Sequence, residues 1–327
     1  MGKAPEWRQD LLTERLVLIS PERAERPLHP GPDCPFCEGH ESETPSELLA
    51  IRDPNSAANG TGWRVRVVPN RFAAVRMNAG KDRSPPPSSP HRNGEGERTP
   101  GVGKAEVFIE CPSHVTKFRE LPRKHVTDVI RTWRDRLRTW RDDSRLAFAL
   151  VFKNEGQAAG ASVDHCHSQL IGIPFVPPDI AKEVAHLTHL QDIAGVCPYC
   201  RWVESGRSDE RFVTESNRFA VFCPHAPRTP GEMWLVPKLH NSSFDALADD
   251  KVSELADVLL DALARMDKAF GTPDFNLMVK SAPFRRHPVF HWRIEVLPRT
   301  TSTAGWEWGT GLLINTMFPE DAAKLLR

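Results

Sequence analysis

The sequence predicts an α+β chain built as two tandem repeats, each of antiparallel strands with a packing helix. Three observations predict it. Two Cys-x-x-Cys pairs, Cys34-Pro-Phe-Cys37 and Cys197-Pro-Tyr-Cys200, open corresponding segments. Behind each comes the same series of patterns: a strand leading into a histidine, an amphipathic helix, a second strand, and a segment carrying another histidine. The two histidines stand 51 residues apart in both halves, since 165 − 114 and 291 − 240 agree, although the earlier loops differ in length.

Taken in order, Ala105 to Glu110 and Gly231 to Val236 read as the strands that lead into His114 and His240. Val126, Val129, Ile130, Trp133, Leu137 and Trp140 recur at three-and-four spacing, as do Val252, Leu255, Leu259, Leu263, Met266 and Phe270, which marks one apolar helix face in each half. Phe148 to Lys153 and Phe275 to Lys280 read as the next strands, and His165-Cys166-His167 and His291-Trp292-Arg293 close the pattern. Similar short segments, Pro69-Asn70-Arg71-Phe72-Ala73 and Ser216-Asn217-Arg218-Phe219-Ala220, read as a further copy of the repeat. The division predicted is residues 1–178 and 179–327. Residues 78–104 are rich in Pro, Ser, Gly and charge, bury little apolar surface, and read as a mobile surface insertion.

Composition narrows the function. At 39% hydrophobic and 26% charged residues the 327-residue chain can bury a real core. Its 43 basic and 43 acidic residues cancel, so no global field gathers a polyanion or an acidic bilayer, and nucleic-acid and membrane partners are not expected. No apolar run is long enough to span a bilayer, and the opening Met1-Gly2-Lys3-Ala4-Pro5-Glu6 lacks a signal-peptide core, so a cytoplasmic protein is expected.

The two Cys pairs are too far apart to share one zinc ribbon, so each needs distant partners. Two thiolates and two imidazoles satisfy tetrahedral zinc. Cys34, Cys37, His114 and His165 form one candidate set, and Cys197, Cys200, His240 and His291 the other, with His225 or His287 able to replace a histidine of the second. Four protein ligands leave no open position, which points to two structural Zn²⁺ ions per chain. The competing reading is that the Cys-x-x-Cys pairs are redox-active and the histidines merely buried.

The densest chemistry runs from Asn154 through Gly160 and Ser162 to His165-Cys166-His167-Ser168-Gln169. If a strand begins here, His165, His167 and Gln169 share one face and Cys166 points away as a small apolar filler. With His165 on a metal, His167 is held rigidly and can offer one ring nitrogen to an electrophile while a hydrogen bond orients the other. Gly160 permits close backbone approach to a phosphate, Ser162 offers a hydroxyl, and Gln169 can donate to a developing phosphoryl oxygen.

These residues, with Arg8-Gln9-Asp10, the stretch Ile19 to Pro27, Asn70 to Phe72, Glu106 to His114 and Ala304-Gly305-Trp306-Glu307, resemble the galactose-1-phosphate uridylyltransferases of the histidine-triad superfamily, including the ADP-glucose phosphorylases. The resemblance implies two half-barrels of antiparallel strands with helices outside, tandem histidine-triad-like repeats, and a homodimer with active sites near the subunit boundary. It implies ping-pong nucleotidyl transfer through a covalent nucleotidyl-histidine, with His167 as nucleophile and Gln169 stabilising the phosphoryl group. Asn154, Gly160 and Ser162 would contact phosphate or sugar, Asn70 and Phe72 the nucleoside, and Glu307 the hexose. Partners would be a sugar nucleotide and a sugar 1-phosphate. Arg293 and Glu295 stand where His167 and Gln169 stand, so the second half is expected to be catalytically silent, with Arg293 either clamping a phosphate or pairing with Glu295. Two departures bear on substrate: Arg71 replaces an Asp of the nucleoside pocket, and Trp308 to Asn315 lacks a Gln of the hexose segment.

The first functional expectation is a UDP-glucose:hexose-1-phosphate uridylyltransferase of galactose metabolism. The second is an ADP-glucose phosphorylase, and the third a noncatalytic nucleotide-binding zinc protein.

Overall fold

A computed structural model of the chain describes residues 4–10, 12–25, 34–77, 98–285 and 287–327. It is a mixed structure of helices and antiparallel sheet. A small sheet has the order β2 (Leu16–Ile19), β1 (Glu6–Gln9), β5 (Arg98–Pro100). The main sheet has ten strands. Its first half runs β3 (Leu49–Arg52), β4 (Trp63–Pro69), β6 (Lys104–Ile109), β8 (His167–Ile173), β7 (Phe148–Glu155). The second half continues β12 (Phe275–Lys280), β13 (Arg293–Pro298), β11 (Met233–Pro237), β10 (Phe219–Phe222), β9 (Phe212–Glu215). The halves join through the β7–β12 pairing, where Asn154 faces Asn276 and Lys153 faces Leu277.

The helices α1 (Arg123–Arg141) and α4 (Asp249–Phe270) carry the apolar faces read from the sequence. Val126, Val129, Ile130 and Trp133 of α1 and Val252, Leu255, Leu259 and Leu263 of α4 are fully buried in one continuous core with Phe108, Val151, Leu235, Leu277 and Ile294 from the strands. Each strand alternates its side chains, so the opposite sheet face is left to other elements. In the second half that face is covered by α2 (Pro178–Ala194) and α3 (Pro198–Ser205). The chain ends in α5 (Gly305–Thr310) and α6 (Pro319–Leu326).

Sheet register corrects two readings. Val107 pairs with Val68 and with Gln169, and Trp234 pairs with Phe222 and with Glu295, so these are corresponding trios. The Asn-Arg-Phe-Ala segments fall at opposite ends of corresponding strands: Asn70 follows β4, whereas Asn217 precedes β10. Their likeness is of sequence alone. The expected strand through His165 begins only at His167, because the main chain ahead of it turns to bring the His165 ring inward. Of the insertion read over 78–104, residues 78–97 lie outside the described residues. Residues 98–104 are paired chain, ending in the first residue of β6, because β5 completes the small sheet against β1.

Candidate active site

On the sheet face opposite α1, a cavity of about 380 Å³ opens between the Cys34–Cys37 turn, the end of β4, and strands β6 and β8. It brings together five residues singled out from the sequence: Asn70, Phe72, Ser162, His167 and Gln169. Pro35, Phe36, Val68, Val107 and Val163 supply apolar walls that the motif reading missed. The signal for Phe36 was its place inside Cys-Pro-Phe-Cys, since a turn that holds a metal also fixes whatever side chain it carries. Its ring centroid lies 5.4 Å from that of His167.

His167 is buried, and its Nδ1 lies 2.8 Å from the carbonyl oxygen of His165. A carbonyl only accepts, so Nδ1 holds the proton and the ring's lone pair is on Nε2. The strand start is pinned from the other face. Lys153 Nζ donates to the His167 carbonyl oxygen at 3.1 Å and to Glu110 Oε2 at 2.7 Å, both side chains being buried. Burial acts to lower the Lys153 pKa, but Glu110, Cys166 and Glu155 together outweigh it and the ammonium is held above its ordinary range. Trp133 Nε1 donates to Ser168 Oγ at 2.7 Å, anchoring the residue between His167 and Gln169 to α1.

Asn70 is fixed by accepting the Phe72 amide at 2.9 Å, and its Nδ2 lies 3.4 Å from Gln169 Oε1, leaving the Gln169 amide donor directed elsewhere. Ser162 Oγ is buried without a hydrogen-bond partner in the described structure, an unused donor in the cavity wall. Gly160 has φ +81°, with no atom within 4 Å of where a Cβ would stand. Gly160, Asn154 and Glu307 do not line this cavity. Asn154 Oδ1 accepts from Asn276 Nδ2, which also donates to the Ala159 carbonyl oxygen and so ties the glycine loop to the second repeat. Glu307 lies in α5, where its carboxylate accepts the Ala304 amide.

Beside the cavity, Cys34, Cys37, His114 and His165 place their ligand atoms within 4.8 Å of one another, and Cys197, Cys200, His240 and His291 do the same. Neither His225 nor His287 joins the second set. The sulfur-to-nitrogen separations are 3.5–3.7 Å in the first (Cys34–His165 3.7, Cys37–His165 3.6, Cys37–His114 3.5). Zn–S near 2.3 Å and Zn–N near 2.05 Å at tetrahedral angles give an edge of about 3.6 Å, so the donor set fits zinc in size and kind. In three of the four histidines Nε2 lies against a backbone carbonyl oxygen: His165 on Cys111, His240 on Pro288 and His291 on Pro237, at 2.8–2.9 Å. That contact turns the Nδ1 lone pair inward, as metal ligation needs. Burial pushes His291 down to about 4. At His165 burial acts the same way but is outweighed by the neighbouring Cys111 and Cys34 thiols, which raise the ring to about 10. All seven cysteines are free thiols.

In the second repeat, Arg293 occupies the place of His167. It is buried, ion-paired to Glu295 at 2.6 Å and Glu183 at 2.8 Å, and stacked 4.5 Å over the Trp234 ring. Of its two expected roles the structure shows the pairing with Glu295.

Comparison with known proteins agrees with this geometry. Residues 3–177 match the family described as galactose-1-phosphate uridyl transferase, N-terminal domain, and residues 122–326 match a domain of unknown function. The chain is 31% identical over 343 residues to the ADP-glucose phosphorylase of Arabidopsis thaliana, covering 100% of this chain and 93% of that protein. It is 28% identical to the galactose-1-phosphate uridylyltransferase of Thermotoga maritima, covering 98% of each. Among solved structures, an Arabidopsis thaliana ADP-glucose phosphorylase with bound ADP-glucose superposes with a TM-score of 0.79 over 99% of both chains. A uridylyltransferase superposes at 0.80 with 27% identity, over 98% of this chain and 97% of that one. No described helix is long and apolar enough to cross a membrane. The chain belongs to the galactose-1-phosphate uridyl transferase family and is a nucleotidyl-transferring enzyme.

Proposed function

We propose that the chain transfers a nucleotidyl group by double displacement through His167, from UDP-glucose to a hexose 1-phosphate, within galactose metabolism. The observation that carries the reading is the Nδ1 contact of His167 with the His165 carbonyl beside a cavity shared with Gln169, Ser162 and Asn70. In the first step Nε2 attacks the α-phosphorus, the bond from that phosphorus to the bridging oxygen breaks, and a sugar 1-phosphate leaves with the electron pair. As the ring becomes cationic, its Nδ1–H donates more strongly to the His165 carbonyl. Gln169 and Ser162 donate to the phosphoryl oxygens, and Asn70, Phe72, Phe36, Val68 and Val107 enclose the nucleoside. In the second step a phosphate oxygen of the incoming sugar 1-phosphate attacks phosphorus and the bond to Nε2 breaks, restoring the ring.

Two Zn²⁺ ions per chain would be held by the two Cys₂His₂ sets, where a filled shell supplies rigidity rather than a reaction centre. Homodimerisation belongs to the same proposal. Trp306, Trp308, Leu312, Leu313, Ile314 and Phe318 form an exposed apolar tail around Glu307, and a second copy is what could both cover it and receive Glu307 as a hexose contact. Sedimentation tests it, with a dimer expected for the wild type and a monomer for Trp308→Glu.

A second reading uses ADP-glucose with inorganic phosphate as acceptor. It is supported by Arg71 in the nucleoside pocket and by the 31% identity to a plant ADP-glucose phosphorylase. Parallel incubation with UDP-glucose alone and ADP-glucose alone, followed by mass spectrometry, decides between them. A uridylylated His167 peptide supports the first reading, an adenylylated one the second, and no adduct from either donor overturns both.

A further inference from the structure

A larger cavity of about 710 Å³ lies on the second repeat and is not part of the site described above. It stands where sheet register puts the counterpart of the catalytic cavity. Trp234 takes the place of Val107, each pairing with the residue in the Gln169 or Glu295 position. Pro198 and Tyr199 of Cys-Pro-Tyr-Cys take the places of Pro35 and Phe36, and Pro224 and His225 follow β10 as Asn70 and Arg71 follow β4. The reacting end of this second cleft is closed, since the Arg293 side chain is buried in its ion pairs with Glu183 of α2 and Glu295. The outer end is open.

That open end has one chemical character. Tyr199, Trp202 and Trp234 form an aromatic wall, their ring centroids 6.5 Å (Tyr199–Trp202), 6.1 Å (Tyr199–Trp234) and 5.9 Å (Trp202–Trp234) apart. The indole nitrogens are already committed, Trp202 to Asp209 and Trp234 to Glu232, so the rings offer the ligand surface for stacking rather than hydrogen bonds. Leu187 and Leu190 of α2 add an apolar edge. The rim is basic: His186, Arg201, Arg211 and His225, against one carboxylate, Asp209, which is occupied by Arg211 and Trp202. Arg201 and His225 are exposed and have no ion pair among the described residues. An aromatic corner, with Trp202 and Trp234 at 78° to each other, and an arginine rim suit a ligand that is planar and aromatic at one end and anionic at the other. The volume is in the range of small-ligand pockets.

We propose that this cavity is a second nucleotide site, one that binds a nucleoside monophosphate with its base in the corner between Trp202 and Trp234, face to one ring and edge to the other, and its phosphate on Arg201 and His225. It holds the nucleotide without reacting, because the place of the nucleophile is filled by an arginine.

The test is titration calorimetry of the metal-loaded full chain with AMP, repeated with Arg201→Glu and Arg201→Lys. The wild type is expected to bind AMP in this cavity, beside any AMP taken by the catalytic one. Arg201→Glu should weaken that event at least tenfold while leaving the transferase rate unchanged. Arg201→Lys should recover it, since only charge is asked of that position. The side chain is exposed, so neither variant threatens the fold. A wild type that binds no AMP overturns the proposal. So does AMP binding that Arg201→Glu leaves wholly intact.

Discussion

Two glycines of the loop before His167 have opposite constraints, and replacing each by alanine separates loop architecture from chemistry. Gly156 has φ +83° and ψ 166°, a region that only glycine adopts freely. A Cβ there would stand 1.9 Å from Asp274 Oδ1. That carboxylate is not free to withdraw, because it accepts the Ala158 amide at 2.9 Å and faces Lys117 at 3.6 Å. The backbone costs about 1–3 kcal/mol, and displacing a charge-assisted hydrogen bond adds roughly 1.5–3 kcal/mol. Gly160, at φ +81° with open space around its Cβ position, should cost only about 1–2 kcal/mol. At roughly 2 °C per kcal/mol for a chain of this size, Gly156→Ala lowers Tm by about 5–12 °C and Gly160→Ala by about 2–4 °C. We propose that the order reverses for chemistry per folded molecule: on the reading in which Gly160 lets backbone approach a phosphate, an added methyl obstructs that approach, and nucleotidylation of His167 should slow at least tenfold. The assay pairs thermal unfolding with the rate of adduct formation on a single sugar nucleotide. Equal Tm losses, or Gly160→Ala labelling as fast as wild type, would refute the reasoning.

Other substitutions test the frame. Lys153→Met leaves Glu110 buried without its cation and should cost about 3–5 kcal/mol; adding Glu110→Gln should restore at least half of the lost Tm, and a double variant no better than the single one counts against the pairing. Cys34→Ser and Cys197→Ser should each lower zinc from about two to about one per chain by elemental analysis, while full metal retention in both removes the ligand assignment. For Glu41, burial acts to raise the pKa, but the Trp63 indole at 2.7 Å and backbone amides outweigh it and hold the carboxylate below its ordinary 4.5. A group lowered on folding contributes stability that is complete above its unfolded pKa and is lost as pH falls through the folded value. Glu41→Gln should therefore flatten the fall of Tm below about pH 4.5, and an unchanged acid limb sinks that prediction.

Features carried by local covalent pattern were legible in the sequence. The helix faces of α1 and α4 follow from apolar spacing, and both Cys₂His₂ sets were found because Cys-x-x-Cys is local and the paired 51-residue interval marks the histidines. What depended on strand register was not legible. The Asn-Arg-Phe-Ala likeness suggested equivalent positions, but equivalence in a sheet is set by which residue each strand pairs with, and the pairings put Asn70 and Asn217 at opposite strand ends. Lys153 and Glu110 were invisible for a related reason: a lysine and a glutamate in alternating strands read as solvent-facing until tertiary packing buries the pair under the His167 carbonyl. Gly156 attracted no notice beside Gly160, since its constraint comes from Asp274 more than a hundred residues away.

The difference between the repeats is better described as a substitution of charge than as loss of a site. In the first repeat, the strand face carries an imidazole and an amide, His167 and Gln169, and lines an open cavity. In the second, Arg293 and Glu295 stand at the same register and cannot stay open at low cost, because a buried charge requires a partner. Arg293 takes Glu295 and reaches Glu183, drawing α2 across the strand face, and Glu295 also accepts Arg228. Burial opposes ionisation of both, but Tyr199, Glu295 and Glu183 together hold Arg293 above even its ordinary pKa, and Arg293, Arg228 and Lys280 hold Glu295 below its own, so both stay ionised and the closure persists across the ordinary pH range. Introducing one ion pair at these two positions thus closes a face that is open in the first repeat, while the Cys₂His₂ frame beside it is retained.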